Sequence, residues 1–370
     1  MKKVFIIAGE ASGDLYAKEI IKKLQNNNIE VFAMGSKNVQ ETQAKIIQDS
    51  TELSVTGIIE VVKVYSKIKK ALDNIQKNLL IKKPDLLILI DYQEFNFRLA
   101  KFAKANGIKV LFFIGPQFWA WRPKRIKKFK NIVDKMAVIF PFEEEPYKQL
   151  GIDVSYVGHP LINLDTSFKD IKKKVIKDSF TIGFFPGSRM NEIKRLSPIF
   201  DKVISNLNSN NFNFFVSASS KRFEKFFKNY KNCEVVYNEN IYDSINRCDI
   251  AVAASGTITL QIALCEKPLC VIYKLSWLSY LFAKFLVKLK DISLVNIICN
   301  KSIVKEFIQH EVTSTNIAKE ITRIAEDDQY RSIMCKELKD IKEILKKENG
   351  ENIVDIIFQM IECHLLSFHL

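Results

Sequence analysis

Short apolar runs alternate with longer amphipathic segments along most of the chain. Several of the runs are rich in β-branched residues and show no polar alternation, which is typical of strands buried on both faces of a parallel sheet. Many of the segments between them have helical spacing. The pattern therefore predicts an α/β fold with strands at residues 4–7, 31–33, 85–90, 110–114, 135–140, 154–157, 182–185, 212–218, 233–237, 249–253 and 269–273.

The length of the chain bears on its domain organisation. At 370 residues it exceeds what one ordinary core supports, so two domains are expected. The polar, lysine-rich segment from Asp165 to Ser179 is the predicted link between them. The predicted division is 1–165 for an N-terminal domain, 166–345 for a C-terminal domain and 346–370 for a C-terminal helix. That helix is expected to pack on the first domain or on a partner chain.

Two amphipathic segments carry an unusual amount of apolar surface. In segment 58–79 an apolar stripe predicts a core-facing helix, but Ile59, Val62 and Val64 lie off the stripe. Segment 276–290 sets aromatic and leucine side chains against lysines, as interfacial helices do, and is too short to span a bilayer. Core packing and contact with lipid both remain open for these segments.

Composition and charge narrow the functional classes. Hydrophobic residues make up 47% and charged residues 26%, as in soluble globular proteins, and there is no long apolar run of the kind that spans a membrane. The net charge of +14 indicates a nucleic acid, an anionic membrane surface or an anionic substrate as partner, unless it only reflects lysine-rich composition. Seven cysteines without a CxxC pair are typical of thiols in a reducing cytoplasm, and together with only four histidines they argue against a zinc site.

The first loop follows the first predicted strand. Its residues include Glu10, Ser12, Gly13 and Asp14, and a helix is predicted from about Asp14. The loop is not a GxGxxG fingerprint, and its two carboxylates disfavour a pyrophosphate. This favours a sugar or other hydroxyl ligand, while a capping role for Asp14 is an equal alternative.

The most continuous strand ends at Asp91, with Glu94 and Asn96 shortly after it. Ligands collect at the carboxyl ends of parallel strands, so Asp91 is a candidate general base. The alternative is that it caps the helix that begins near Asn96.

A dense basic and aromatic cluster follows the strand at 110–114. It contains Trp119, Trp121 and Arg122, with further lysines and an arginine up to Lys130. Such a cluster suits a nucleic acid, a membrane surface or an anionic lipid, and its spacing does not separate these.

Two loops in the second half have the features of phosphate sites. One carries Gly187, Ser188 and Arg189 between a strand and a helix, and the other carries Ser255, Gly256 and Thr257. Backbone N–H groups at such helix starts suit phosphate oxygens, and a guanidinium can bind them with two hydrogen bonds. A tight turn with a surface arginine is the plainer interpretation of the first loop.

These motifs, taken in order, resemble the lipid-A-disaccharide synthase family (glycosyltransferase family 19). The resemblance runs from residue 4 to about 310 and rests on AGEASGD at 8–14, IDYQEFN at 90–96, GPQFWAWR at 115–122, GHP at 158–160, PGSR at 186–189, SGT at 255–257 and SLVNIICNKSIVKEFIQ at 293–309. Any one of these motifs alone is weak.

The resemblance implies a GT-B fold, with two Rossmann-like domains whose parallel sheets face each other across a cleft. It implies an inverting transfer from UDP-2,3-diacylglucosamine to 2,3-diacylglucosamine 1-phosphate, without a cofactor or metal. It also implies a cytoplasmic protein held peripherally at the inner membrane, without nucleic acid, and is compatible with a homodimer.

The resemblance also assigns roles to residues. The N-terminal domain would bind the acceptor and its lipid, and the C-terminal domain would bind the UDP-sugar. The catalytic set is Asp91, Glu10 and Arg189. The UDP-sugar set is Gly187, Ser188, Arg189, Ser255, Gly256, Thr257, Gln261, Lys274, Asn296 and Glu306. The acceptor and lipid set is Ser12, Gly13, Asp14, Glu94, Asn96, Trp119, Trp121 and Arg122.

Three positions depart from the family pattern. Gln261 stands where a glutamate is common, Lys274 where an arginine is usual and Val295 where a proline is usual. A glutamine still hydrogen-bonds a ribose hydroxyl, so we expect weaker ribose binding and no change of reaction class.

Two other classes remain as alternatives. Another GT-B enzyme, such as a UDP-N-acetylglucosamine epimerase or a peptidoglycan glycosyltransferase, would share the UDP loops but lack the FWAWR stretch. An RNA-binding protein would explain the charge, but it would be expected to contain a recognisable RNA module.

Overall fold

The computed structural model divides the chain into two compact units. Unit 1 comprises Met1–Pro160 and Lys347–Leu370, and unit 2 comprises Leu161–Lys346. The residues that the structure describes are 1–51, 61–116, 127–163, 179–207, 211–237, 240–275, 291–346 and 351–362.

Unit 1 is built on a seven-stranded sheet in which all paired strands are parallel. The strand order is β3-β2-β1-β4-β5-β6-β7, so the direction of chain progression reverses between β1 and β4. The strands are β1 (Lys3–Ala8), β2 (Glu30–Gly35), β3 (Lys45–Asp49), β4 (Leu86–Ile90), β5 (Lys109–Phe113), β6 (Lys135–Val138) and β7 (Val154–Tyr156).

Unit 2 repeats this arrangement with six parallel strands. The order is β10-β9-β8-β11-β12-β13, with the reversal between β8 and β11. The strands are β8 (Phe180–Phe185), β9 (Phe212–Ser217), β10 (Cys233–Val236), β11 (Ile250–Ala254), β12 (Leu269–Tyr273) and β13 (Glu306–Ile308).

Helices connect most of these strands, as parallel pairing requires. In chain order the α-helices are α1 (Ala11–Gln25), α2 (Lys37–Gln40), α3 (Val61–Lys82), α4 (Gln93–Ala105), α5 (Glu144–Lys148), α6 (Pro160–Asn163), α7 (Met190–Leu207), α8 (Ile241–Arg247), α9 (Thr257–Leu264), α10 (Leu294–Cys299), α11 (Ser314–Glu326), α12 (Asp328–Leu345) and α13 (Ile353–Glu362). Short 3₁₀ turns lie at Pro141–Glu143, Lys221–Phe226 and Gln309–Glu311. Across the described ranges, no helix combines the length and apolar character needed to cross a membrane.

The cores form where the predicted apolar runs come together. All five residues of β4 are buried, which is why this strand shows no polar alternation. The described part of α3 buries Leu72, Ile75 and Leu79 against the unit 1 sheet and ends just before Pro84, as the sequence predicts.

Two strands are not predicted by the hydrophobic pattern. β3 is an edge strand on which Lys45 and Ile46 are exposed, so it has no continuous buried run. β13 has only three residues and takes its place by pairing with β12. Both owe their extended form to a neighbouring strand rather than to local pattern.

The C-terminal helix α13 belongs to unit 1. Its side chains Ile356 and Ile357 are fully buried, and the backbone carbonyl of Met360 accepts a hydrogen bond from Lys109 Nζ at 2.9 Å. Helix α13 thus packs against unit 1.

Candidate active site

One candidate site lies at the reversal point of the unit 1 sheet. Ala8 pairs with Ile90, so the turns that follow β1 and β4 leave the sheet side by side. The first turn carries Gly9 and Glu10, and the second carries Asp91. Ligands of open α/β sheets bind at this place, outside the carboxyl ends of the strands.

The turn after β4 has an uncommon backbone conformation. Asp91 and Tyr92 both have positive φ, 49° and 47°. Such residues cost roughly 1–3 kcal/mol each and persist only where the surroundings hold them. Here the Asp91 N–H donates to the Phe113 carbonyl at 3.1 Å, and Asn96 Nδ2 donates to the carbonyls of Ile90 at 3.2 Å and Asp91 at 2.7 Å. The half-exposed Asp91 side chain is therefore carried on a fixed backbone.

Three residues predicted to contact the acceptor are buried and make contacts within unit 1. Asn96 is fully buried, and its side-chain amide donates to the carbonyls of Ile90 and Asp91 in the turn. Asp14 is also fully buried, and its carboxylate accepts backbone N–H groups from Ser36 and, at 2.9 Å, from Asn38. Gly13 is buried where an added Cβ would come within 3.3 Å of a β4 side chain, so its small size brings α1 close to the sheet. Their contacts with the acceptor stay predictions, which this burial does not support.

The other acceptor candidates that the structure describes lie at the same edge and reach solvent. Glu10 is exposed at the N-cap of α1, where its carbonyl accepts the Asp14 N–H at 2.8 Å. Ser12 is half-exposed in the first turn of α1, and Glu94 is exposed in the first turn of α4. With Asp91, the edge presents three carboxylates, which suits hydroxyl groups better than phosphate.

A second candidate site lies at the reversal point of the unit 2 sheet. Phe185 pairs with Ala253, so the loops after β8 and β11 are neighbours. The first loop contains Gly187 (φ 86°) and leads into α7, and Gly256 (φ 154°) is the N-cap of α9. These φ values favour glycine. Two helix N-termini thus begin at one edge, and their unpaired backbone N–H groups suit phosphate oxygens.

The predicted phosphate residues are accessible there. Ser188 and Thr257 are exposed and Ser255 is half-exposed. The Ser255 N–H donates to the Ile272 carbonyl at 3.0 Å, which ties the second loop to β12. Beyond the immediately adjoining backbone and chain neighbours, no described atom lies within 4 Å of the place where a Cβ on Gly256 would be. Within the described residues, this loop therefore leaves space beside its backbone.

A charged pair stands at the first loop. Arg189 is 71% exposed, and its Nη1 lies 3.5 Å from Glu192 Oε1. The other Glu192 oxygen lies 2.9 Å from the Cβ that Gly187 lacks. Burial raises the pKa of the Glu192 carboxyl, with Arg189 opposing that shift. Burial, and then the Glu192 charge, raises the pKa of Tyr273 at the end of β12.

Two further nucleotide candidates are half-exposed. Gln261 lies on α9, one helical turn after Thr257. Lys274 directly follows β12, and its Nζ lies 3.4 Å from the Val312 carbonyl. Their contacts with UDP stay predictions.

Asn296 and Glu306 form an internal network. Asn296 is 1% exposed; its Nδ2 donates to Val304 O at 3.0 Å and to Glu306 Oε1 at 2.7 Å, and its Oδ1 accepts the Ile303 and Val304 N–H groups. The same Glu306 oxygen accepts the N–H of Ser293, the N-cap of α10, at 2.9 Å. Both residues hold α10 to β13, and the direct nucleotide contact predicted for the buried Asn296 stays a prediction that this geometry does not support. The contact of the half-exposed Glu306 stays a prediction that this geometry does not support.

The comparisons with known proteins identify the family to which the chain belongs. Residues 4–357 match the family described as Lipid-A-disaccharide synthetase. The chain is 37% identical to the lipid-A-disaccharide synthase of Trichlorobacter lovleyi, over 98% of both chains. It is 35% identical to lipid-A-disaccharide synthase 1 of Legionella pneumophila strain Paris, over 96% of both. The chain belongs to this family.

The GT-B fold expected for this family is also confirmed. A solved UDP-GlcNAc 2-epimerase from Neisseria meningitidis, bound to UDP-GlcNAc, superimposes with a TM-score of 0.65 at 14% identity, covering 97% of this chain and 100% of that one. At that identity the likeness concerns the fold alone. The family match, not the fold, separates this enzyme from the epimerase alternative.

Several features discussed from the sequence lie outside the described residues. These are the acceptor and lipid candidates Trp119, Trp121 and Arg122, the beginning of segment 58–79, all of segment 276–290 and most of the predicted link. Their roles in this family member stay predictions. Among the described residues, no group of three or more His, Cys, Asp or Glu side chains is placed to hold a metal ion.

Sequence reasoning missed three residues that shape the two sites. Tyr92 lies against Gly9, and Glu192 and Tyr273 lie at the first phosphate loop. Tyr92 and Glu192 fall within the family motifs or just after them, which was the available signal. Their roles depend on packing across adjacent turns, which chain order does not reveal.

Proposed function

We propose that this chain transfers the sugar of UDP-2,3-diacylglucosamine to 2,3-diacylglucosamine 1-phosphate. The products are UDP and a β-1,6-linked lipid A disaccharide 1-phosphate. The observation that carries this, together with family membership, is the division of chemistry between the two reversal points. Unit 1 presents three carboxylates, of which Asp91 stands on a hydrogen-bonded turn, and unit 2 presents helix N-termini with an exposed arginine.

The proposed reaction is a single displacement with inversion. The acceptor 6-hydroxyl oxygen forms a bond to the donor anomeric carbon as the bond from that carbon to the diphosphate breaks. Asp91 takes the hydroxyl proton as general base, a role that contributes about 10²–10⁴-fold in other enzymes. Exposed Glu10, on the neighbouring turn, shares that role or orients the sugar. The electron pair of the broken bond leaves on UDP.

The departing diphosphate gains negative charge, which unit 2 is equipped to stabilise. Arg189 is exposed at the loop after β8 and supplies a cation. The N–H groups near Gly187, Ser188, Gly256 and Thr257 supply fixed dipoles. Donors that are already oriented stabilise a developing charge without the cost of reorganisation.

We propose that the enzyme works at the cytoplasmic surface of the inner membrane, where its lipid substrates reside. The net charge of +14 and the exposed Lys127, Lys128 and Lys130 support attraction to anionic lipid. Binding to vesicles that contain anionic phospholipid should weaken strongly at about 1 M salt, where charges are screened within roughly 3 Å. Retention of the protein on vesicles at that salt concentration would exclude an electrostatic contribution.

The reaction is tested by UDP release in detergent, with both lipids present and no added metal. Release that requires both lipids supports the transfer. Release with UDP-2,3-diacylglucosamine alone would indicate a hydrolase or an epimerase. If the protein binds UDP but releases none from the two lipids, the proposed substrates are wrong, while the fold and the proposed nucleotide site are unaffected.

A further inference from the structure

The turn after β1 and the turn after β4 are in direct contact through one aromatic ring. An ideal Cβ built on Gly9 would lie 2.2 Å from Cδ1, 2.4 Å from Cγ and 2.7 Å from Cε1 of Tyr92. The ring of Tyr92 therefore lies directly on the Gly9 backbone. The glycine is required by this packing, since its own φ is not among the positive values.

The ring has little freedom to move away. Its centroid is 5.1 Å from that of Phe95, and the side chain packs on the unit 1 core. Tyr92 is one of the two residues of this turn that have positive φ, and its carbonyl accepts the Asn96 N–H at 3.0 Å. The position of the ring is thus set by α4 and by the turn that carries Asp91.

Glu10 follows Gly9 directly and begins α1. Burial, and then the nearby Glu10 charge, raises the pKa of the Tyr92 phenol, so these two groups are electrostatic neighbours. The ring touches the residue before Glu10 and belongs to the residue after Asp91. It therefore lies between the backbone positions that carry the two acidic side chains.

We propose that Tyr92 is a positioning residue that sets the placement of Glu10 relative to Asp91. The inference rests on the proposed function, in which these two carboxylates act on the acceptor hydroxyl. The ring does this by packing, so its hydroxyl group is dispensable. A displacement of about 1 Å at a reacting group can cost on the order of 100-fold in rate.

The test is a double-mutant cycle between Gly9→Ala and Tyr92→Leu, measured as kcat, acceptor KM and UDP affinity. Gly9→Ala should lower kcat by about 10-fold to 100-fold, since the methyl group forces the two turns apart. Tyr92→Leu should lower kcat by about 10-fold, and Tyr92→Phe should leave it within about twofold. In the double variant, kcat should recover by about fivefold or more over Gly9→Ala, because residues in contact are not additive.

UDP affinity separates this role from general damage. It should stay within about twofold of wild type in all variants, because both substitutions lie in unit 1. Phe97→Leu is the matched control, since it removes a partly buried ring from the same helix. The centroid of the Phe97 ring lies 5.2 Å from that of Phe129. It should lower the melting temperature and leave kcat unchanged.

The outcomes distinguish this inference from the proposed function. If wild-type protein shows no turnover with the two lipids, the reaction is wrong and this inference falls with it. If wild-type protein is active but the two substitutions are additive in kcat, Tyr92 does not position the Glu10 turn. The same conclusion would follow if Tyr92→Leu changed only the melting temperature.

Discussion

The amide of Asn96 is the most informative single group to remove. It is fully buried and donates to the carbonyls of Ile90 and Asp91 at the end of β4. Asn96→Leu keeps the approximate volume and deletes both donors. We expect kcat to fall while UDP affinity is retained.

The magnitude follows from two opposing terms. Two positive-φ residues, Asp91 and Tyr92, cost roughly 2–6 kcal/mol together. Removing the amide takes one donor from each of the Ile90 and Asp91 carbonyls, in a buried and a partly buried environment, and each loss costs up to about 1–3 kcal/mol, which is a similar range. Without the amide, the strain of the turn is no longer offset. The turn is therefore expected to relax to negative φ and carry the Asp91 side chain away from its position.

The assay compares Asn96→Leu with Asn106→Leu. Asn106 is an exposed amide at the end of the same helix, whose Nδ2 donates to the Phe102 carbonyl at 2.8 Å. For Asn96→Leu we expect kcat to fall about 100-fold or more, and the free energy of unfolding to fall by about 2–4 kcal/mol. The control should change neither by a comparable amount.

Two results would refute this reasoning. One is an Asn96→Leu protein with reduced stability but wild-type kcat per folded molecule, which would mean that the turn holds without its clamp. The other is a loss of UDP affinity as large as the loss of kcat, which would mean that the damage is not confined to unit 1.

Four other substitutions give separate tests. Asp91→Asn should lower kcat by about 10²–10⁴-fold with UDP affinity retained, by calorimetry; loss of UDP binding would make Asp91 a structural cap. Arg189→Ala removes a charged hydrogen-bond donor of about 1.5–3 kcal/mol, so UDP affinity should fall about 10-fold to 100-fold, and unchanged affinity would exclude the phosphate contact. Burial raises the pKa of Glu192, so its carboxyl becomes protonated, and its repulsion of the diphosphate is lost, at a higher pH than for a free carboxyl. The affinity of the wild-type protein for UDP should therefore rise as the pH falls through this pKa, and Glu192→Gln should bind UDP more tightly than wild type above it. The titration of UDP itself cancels in the ratio of wild-type to variant affinity, so that ratio should depend on pH. A ratio that stays constant with pH would contradict the assignment. Asp14→Leu should lower the free energy of unfolding by about 2–4 kcal/mol in denaturant melts without changing kcat per folded molecule, and a selective loss of acceptor affinity would restore it as a ligand.

Much of the fold follows from local pattern. Strands such as β4 and β11 are fully buried, and a fully buried parallel strand has to be apolar at every position. The edge strand β3 lacks that signal, because one side of it has no partner strand. Its pairing with β2, with a register shift between Ala33 and Met34, is decided by tertiary contacts.

The candidate sites were predictable in place but not in role. Asp91 and Arg189 follow buried strands, and strand order then brings each to a reversal point. Asp14 and Asn296 occur in equally specific motifs, but their partners lie 22–24 and 7–10 residues along the chain, in other elements. Chain order alone does not show which motif residue is turned inward.

Of the buried motif residues, Asn96 is the one expected to matter to the proposed reaction, because it supports the turn that carries Asp91. A general base must meet solvent and substrate, so the role proposed for Asp91 requires that its side chain be accessible. The enzyme must still hold that side chain to a fraction of an ångström, because rate falls steeply with misplacement. A backbone with positive φ that is held by the Asn96 amide meets both requirements, and the Tyr92 ring is proposed to set the Glu10 turn against it. It follows that losing either support should appear mainly in kcat, and that UDP affinity should report only on unit 2.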